Sequence, residues 1–204
     1  MKAPGLIELA AGWVRLVRFH RPALAIESHL TRRERLVLYA LARLYGQGGI
    51  AEIGSYLGAS GCALAAGLRD AAHPNRVYCI DTWQNDAMSE GARDTWAAFV
   101  RNTEPYREEI FPVRGLSHEV AASVAASGGT SLSFVFFDGD HSAEGVRQDW
   151  EAYRPLLGPG AVVAFHDVGW AEGVQRLVAE AIAPRAEWSQ QLPNLYWARL
   201  RHEH

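Results

Sequence analysis

From residue 50 onward, short apolar runs that suit β-strands alternate with stretches of helical periodicity, and this alternation constrains the fold more than any other feature. The predicted strands cover residues 50–54, 77–81, 110–114, 132–138 and 161–167. The predicted helices between and after them cover residues 59–70, 89–102, 117–126, 143–156 and 171–183. Elements in this order form βαβ units, so the sequence predicts an α/β fold with a mostly parallel sheet.

Polar clusters follow several of the predicted strands. The strand at 132–138 is apolar almost throughout before its final Asp138, as expected for a strand that helices cover on both faces. Parallel strands end at one common edge, where open α/β folds bind ligands, so we expect the clusters to meet there. Near the end of the chain, residues 187–191 and 195–200 flank a Leu-Pro-Asn turn, which predicts an antiparallel hairpin.

The N-terminal segment differs from the rest. An amphipathic helix is predicted at 6–19, and a capping box formed by Thr31 and Glu34 predicts the start of a second helix. We interpret residues 1–45 as a helical lid or dimer segment and residues 46–204 as the main domain. His29 and Thr31 would then lie near the hinge of the lid.

Length, composition and charge narrow the class of protein. A chain of 204 residues suits one compact domain, and its net charge of −3 includes an excess of arginine near the N-terminus. We find no secretory signal, no apolar run long enough to span a membrane and no basic, aromatic stripe typical of nucleic-acid binding. Both cysteines lie in apolar runs, so we expect reduced thiols in a cytoplasmic protein. The helical segment at 1–45 is compatible with a homodimer.

A glycine-containing loop follows the first predicted strand, in the sequence EIGSYLGAS at 52–60. Gly54 and Gly58 permit close approach of a ligand, and the free N–H groups of the helix start suit a carboxylate. The pattern is E-x-G-x-x-x-G rather than the G-x-G-x-x-G of dinucleotide-binding proteins, which favours the methionine tail of S-adenosylmethionine (SAM) over a pyrophosphate.

Asp81 ends the second predicted strand, 27 residues after Gly54. An isolated aspartate there is more often a turn or cap residue, but together with the glycine loop it favours hydrogen bonds to ribose hydroxyls. Ser117, after the third strand, suits either an adenine pocket or a helix cap. The loop WQND at 83–86 suits stacking on a sugar or adenine ring, or Trp83 simply anchors its own loop; both interpretations stay open.

Metal-capable side chains follow two consecutive buried strands. Asp138, Asp140 and His141 come after the fourth strand, and His166 and Asp167 come after the fifth. Burying so many charges without a cation would be costly. Carboxylates with one imidazole suit Mg²⁺ or Mn²⁺, whereas two histidines and a carboxylate would also suit non-haem Fe(II).

Residues 50–168 resemble the class I SAM-dependent O-methyltransferases, specifically the Methyltransferase 24-type family. The resemblance is carried by the motifs E-x-G-x-x-x-G-x-S at 52–60, VYCID at 77–81, DGDHS at 138–142 and HDV at 166–168. It implies a Rossmann-like fold whose seven-stranded, mostly parallel sheet ends in an antiparallel hairpin.

A more distant resemblance, to catechol and macrolide-sugar O-methyltransferases, implies roles for individual residues. It makes Asp138, His166 and Asp167 the ligands of Mg²⁺, although His166 stands where those proteins usually carry a carboxylate. It makes His141 or Asp140 the general base, and we prefer His141 because a neutral imidazole accepts a proton near pH 7. The expected cofactor-binding residues are Glu52, Gly54, Ser55, Tyr56, Gly58, Ser60, Asp81, Thr82, Trp83, Gly115, Ser117 and Asp138.

The expected function is therefore metal-dependent methylation of a hydroxyl group on a small molecule. The resemblance implies a sugar or other natural product as the acceptor, with catechols as an alternative. Two competing functions are also compatible with the sequence. An Fe(II) hydroxylase would leave the glycine loop and Asp81 without a purpose, and a catalytically silent SAM-binding partner protein would bind the cofactor without turnover.

Overall fold

The computed structural model describes residues 5–84 and 91–202 of the chain. Asn85 and Asp86 of the predicted tryptophan loop therefore lie outside the described residues, as do the first two positions of the helix predicted at 89–102. Among the described helices, none combines the length and the apolarity that crossing a lipid bilayer requires.

The strands form one seven-stranded sheet. Its members are β1 (Ile50–Ile53), β2 (Val77–Asp81), β3 (Ile110–Arg114), β4 (Leu132–Phe137), β5 (Leu157–His166), β6 (Ala186–Gln191) and β7 (Leu195–Leu200). Their spatial order is β3-β2-β1-β4-β5-β7-β6, in which β1 to β5 are parallel and β7 runs antiparallel to β5 and β6. The predicted Rossmann-like sheet with a C-terminal antiparallel hairpin is confirmed.

The helices pack on both faces of the sheet. They are α1 (Leu6–Phe19), α2 (Arg21–Ala25), α3 (Arg32–Tyr45), α4 (Ala59–Asp70), α5 (Trp96–Thr103), α6 (Ser117–Ala126), α7 (Ala143–Tyr153) and α8 (Glu172–Leu177). The capping box predicted at Thr31 forms, because the Thr31 side chain accepts from the Glu34 amide and the Glu34 side chain accepts from Thr31.

Several predicted element ends were wrong. The helix predicted at 89–102 begins at Trp96, and the helix predicted at 171–183 is α-helical only from Glu172 to Leu177. β5 begins at Leu157, four residues before the predicted start, because Leu157 pairs with Leu132 and a bulge between Leu132 and Phe134 accommodates the Gly-Pro-Gly segment at 158–160. α7 ends at Tyr153, and a 3₁₀ turn that contains a proline continues to Leu156.

The core lies on both sides of β4, as its apolar sequence predicts. Phe134 and Phe136 face one cluster of buried side chains, and Val135 and Phe137 face the other. α3 belongs to the first cluster and packs tightly against α4, where a Cβ atom on Gly67 would lie 2.5 Å from the Tyr39 carbonyl oxygen. The second half of the predicted lid or dimer segment is thus a layer of the fold, and its role in dimerisation stays a prediction.

A polar network at the end of α4 attaches α1 to this core. Both oxygens of Asp70 accept hydrogen bonds from the Arg15 guanidinium, at 2.7 and 2.8 Å, and Oδ2 also accepts one from the Tyr39 hydroxyl at 2.5 Å. The His20 Nε2 atom lies 3.2 Å from Asp70 Oδ1. Burial alone would raise the pKa of Asp70, but these partners outweigh it and hold the pKa well below its usual range.

Asp70→Asn is expected to lower the free energy of unfolding by about 1–3 kcal/mol, because it weakens a charge-assisted network with the buried Tyr39 and His20 and the half-buried Arg15. The matched control is Glu104→Gln, which removes a carboxylate from the exposed pair between Glu104 and Arg107 and should leave stability unchanged. Urea denaturation midpoints of both variants check the prediction. Equal midpoints would contradict a stabilising role for the Asp70 network.

Candidate active site

A cavity of about 1010 Å³ lies at the carboxyl edge of the sheet. Its wall is formed by residues that follow β1, β2, β3, β4 and β5, together with residues 27–30 just before α3. This is the edge at which the polar clusters of the sequence were expected to meet, and the volume suits a small-molecule site.

The glycine loop after β1 forms one end of the cavity. Gly54 has a φ of +87°, and a Cβ atom there would lie 2.0 Å from the Asp138 carbonyl oxygen, so the position requires glycine. Asp81 lies opposite, and its Oδ2 accepts hydrogen bonds from the Ser55 and Tyr56 amides at 2.9 and 2.7 Å. The Asp81 carboxylate therefore fixes the loop as well as facing the cavity.

Three of the expected cofactor residues lie behind the cavity wall rather than on it. Glu52 is fully buried and accepts a hydrogen bond from the Ser55 hydroxyl at 2.7 Å. Gly58 precedes α4 with a φ of +86° and has no space for a side chain beside Thr103. Trp83 is fully buried with its ring against Trp96, so it anchors its own loop.

Other expected cofactor residues line the cavity, namely Gly54, Ser55, Tyr56, Ser60, Asp81, Thr82, Gly115, Ser117 and Asp138. Sequence reasoning missed Asp149, which also lines the cavity and is hydrogen-bonded to the Ser117 hydroxyl. Burial raises the pKa of Asp149 to about 6 in spite of that bond. An acidic residue between the buried Val146 and Trp150 of α7 was the available signal.

Asp138, His166 and Asp167 converge at the other end of the cavity. One ligand atom from each lies within 4.8 Å of the others. The His166 Nδ1 atom is 3.1 Å from Asp138 Oδ1 and 3.2 Å from Asp167 Oδ1. Neighbouring ligands of an octahedral Mg²⁺ ion with bonds of 2.0–2.1 Å are about 3 Å apart, so the geometry and the donor types fit a divalent cation.

Asp167 connects this cluster to His141. Its Oδ1 accepts hydrogen bonds from the Trp170 indole at 2.8 Å and from the Asn194 amide at 2.9 Å, and its Oδ2 lies 3.2 Å from His141 Nδ1. His141 also packs edge-on against Trp170, which is 62% exposed. Asp140, by contrast, is exposed and accepts a hydrogen bond from the Ser142 amide at 2.8 Å.

The electrostatics of the cluster are dominated by the His166 imidazole, which lies beside the carboxylates of Asp138, Asp167 and Glu34. Burial lowers the pKa of His166, but its hydrogen bonds with the carboxylates, first that of Asp138, outweigh burial and raise the pKa to about 12. Burial raises the pKa of Asp138. Hydrogen bonds, first from His166, overcome the effect of burial on Asp167 and hold its pKa well below the usual range.

A family of methyltransferase domains, Methyltransferase 24, matches the sequence over residues 51–168, which is more than half of the chain. The chain belongs to this methyltransferase family. The match runs from β1 to the residue after Asp167, and so includes both ends of the cavity. No curated protein matches the methyltransferase chain.

Solved structures share the fold of this methyltransferase across nearly its whole length. An O-methyltransferase from Bacillus cereus in complex with SAH is 17% identical, with a TM-score of 0.64, covering 97% of this chain and 92% of that one. The O-methyltransferase TomG from Streptomyces achromogenes, involved in tomaymycin synthesis and in complex with SAM, is 18% identical, with a TM-score of 0.65 and coverage of 98% and 92%. CalS11, a TDP-rhamnose 3′-O-methyltransferase in calicheamicin biosynthesis, is 20% identical, with a TM-score of 0.64 and coverage of 97% and 87%.

Glu52 is expected to make the stability of the methyltransferase depend on pH. Burial raises its pKa from an ordinary value of 4.5 to about 7, so the folded protein retains a proton that the unfolded chain releases. The stabilisation that protonated Glu52 gives the folded protein is complete below pH 4.5 and is lost as the pH rises to about 7. Glu52→Gln should therefore gain stability relative to wild type over this interval, in denaturation midpoints measured from pH 4.5 to 8. Parallel curves would contradict the assignment.

Proposed function

We propose that this methyltransferase transfers the methyl group of SAM to a hydroxyl group of a sugar or other natural product, with the help of a divalent cation. The observation that carries the proposal is that the glycine loop with Asp81 and the cluster around Asp167 share one cavity. A donor bound at the first end and an acceptor bound at the second would react without crossing solvent.

SAM would be held by the first end of the cavity. The Gly54 loop leads into α4, whose first amides suit the carboxylate of the methionine tail. Asp81 would accept hydrogen bonds from the ribose, and the pocket around Ser117 and Asp149 would receive the adenine ring. Asp81 would then support the cofactor in two ways, since it also holds the loop amides.

Mg²⁺ or Mn²⁺ would be held by Asp138, His166 and Asp167, where it would supply Lewis-acid polarisation of the acceptor hydroxyl. His141 would remove the hydroxyl proton, because its Nδ1 is oriented by Asp167 and its Nε2 is left to accept. The acceptor oxygen then forms a bond to the methyl carbon as the sulfur–methyl bond breaks. The proton goes to His141 and S-adenosylhomocysteine leaves.

Two observations support a ring-shaped natural product as the acceptor. The exposed indole of Trp170 lies beside His141 and offers an apolar face at the cavity. Solved structures with the same fold include an enzyme of tomaymycin synthesis and a TDP-rhamnose methyltransferase. An Fe(II) hydroxylase is less well supported, because the metal-capable group among the described residues contains one histidine and not His141.

Calorimetric titration with SAM, S-adenosylhomocysteine and NAD tests the proposed cofactor. We expect micromolar binding of the two adenosyl ligands and none of NAD, because the loop lacks the phosphate-cradling glycine pattern. Labelled SAM with a panel of sugar hydroxyls then tests the transfer. Binding of NAD alone would refute the proposal.

His141→Ala is expected to lower kcat by about 100-fold or more while leaving the affinity for SAM unchanged, because general-base catalysis contributes on that scale. Asp140→Asn is the matched control, since its amide oxygen can still accept from the Ser142 amide. Steady-state kinetics of both variants separate the candidates. A large loss in Asp140→Asn with normal turnover in His141→Ala would assign the base to Asp140.

A further inference from the structure

The carboxylate of Glu34 comes from the first turn of α3 and is buried beside the metal-capable cluster. It accepts hydrogen bonds from the Thr31 amide at 2.7 Å and the Thr31 hydroxyl at 2.8 Å. A capping glutamate normally stays in solvent, but Glu34 is only 4% exposed. In addition to these capping hydrogen bonds, the Glu34 carboxylate faces the His166 imidazole, with 3.7 Å between Oε2 and Nε2.

The two nitrogen atoms of His166 face different surroundings. Nδ1 points between the carboxylates of Asp138 and Asp167. Nε2 faces Glu34 Oε2 and, at 3.3 Å, the amide nitrogen of Asn194. A histidine that ligates a metal through one nitrogen keeps a proton on the other, and that proton needs an acceptor.

Asn194 cannot be that acceptor. Its oxygen already accepts from the Gly169 amide at 3.1 Å, and its nitrogen donates to Asp167 Oδ1 at 2.9 Å. The amide therefore turns its nitrogen rather than its oxygen toward Nε2, and it can donate there only where Nε2 lacks a proton. Of the two side chains that face Nε2 in the described part of the chain, Glu34 is the one that turns an oxygen toward it, at 3.7 Å, in addition to the two hydrogen bonds that this Oε2 accepts from Thr31.

We propose that in the cation-loaded protein Glu34 accepts the Nε2 proton of His166 and so leaves the Nδ1 lone pair to ligate the divalent cation between Asp138 and Asp167. The inference rests on the metal site of the proposed function. Glu34 is a positioning residue: it acts through His166 and touches neither the acceptor nor the cofactor. Carboxylates in this relation to a ligating histidine typically contribute about 10–100-fold in metal affinity.

The proposal gives the N-terminal segment a defined part in the site. α3 is packed into the core, and its first turn carries Glu34 to the cluster while residues 27–30 line the cavity. Because coupling between sites is reciprocal, a bound cation should in turn stabilise the start of α3. This connection does not require the segment to move as a lid.

Titration with Mn²⁺ alone, read by the electron paramagnetic resonance of the free ion, tests the inference without any turnover. Glu34→Gln should weaken Mn²⁺ binding by about 10–100-fold. The control is Thr31→Ala, which removes the hydroxyl of the cap but keeps the backbone amide that donates to Glu34, and should retain wild-type affinity. Asp138→Asn should abolish binding and so locate the ion.

Each alternative result has a distinct meaning. Wild-type affinity in Glu34→Gln, or an equal loss in both cap variants, would overturn the role of the Glu34 carboxylate while leaving the metal site in place. Failure of the wild-type protein to bind Mn²⁺ would remove the metal site and this inference together, and SAM binding would still be measured separately.

A second measurement needs no substitution. The ¹⁵N chemical shifts of the His166 ring in the Mg²⁺-loaded wild-type protein report which nitrogen carries the proton. Protonated Nε2 with unprotonated Nδ1 is the expected result. A proton on Nδ1 in the loaded protein would overturn the proposal, even if Glu34→Gln failed to fold.

Discussion

The close approach of β1 and β4 is the constraint on which the rest of the site depends. The two strands are paired neighbours, and at their ends Gly54 passes so near the Asp138 carbonyl that no side chain fits between them. The loop expected to hold SAM and the first expected metal ligand are therefore held side by side by backbone packing. A transfer reaction needs its two reactants at a fixed short separation, and in the proposed function the packing of the sheet would supply that separation.

Backbone strain collects at the same edge. Tyr56, Trp83 and Asp167 are non-glycine residues with φ values of 45°, 53° and 61°, and each follows the end of a parallel strand. Such conformations cost on the order of 1–3 kcal/mol each and persist only where surrounding contacts enforce them. Asp81 enforces the first through the Tyr56 amide, the packing against Trp96 enforces the second, and the bonds from Trp170 and Asn194 to Asp167 enforce the third.

The fold could be predicted from the sequence because its signals are local. The apolar run of β4 and the turn residues between elements identify strands without knowledge of their partners, and the motif DGDH marks the end of β4. Residues that the fold brings to the site from distant parts of the sequence could not be identified in this way. Glu34 matches an ordinary capping box, Asn194 matches an ordinary turn, and Asp149 lies within a helix, so each gave a local explanation that was correct but incomplete.

The N-terminal segment likewise depends on contacts that its local sequence does not specify. Amphipathic helices with excess arginine suit a lid, a dimer interface or a core layer equally well, and only tertiary packing decides among them. Here α3 is buried against α4, and Asp70 at the end of α4 binds Arg15 of α1 and Tyr39 of α3. The network that attaches α1 thus also supports the helix whose first turn reaches His166. Stability of the fold and geometry of the candidate metal site consequently involve the same packed layer, in which α3 connects the Asp70 network to Glu34.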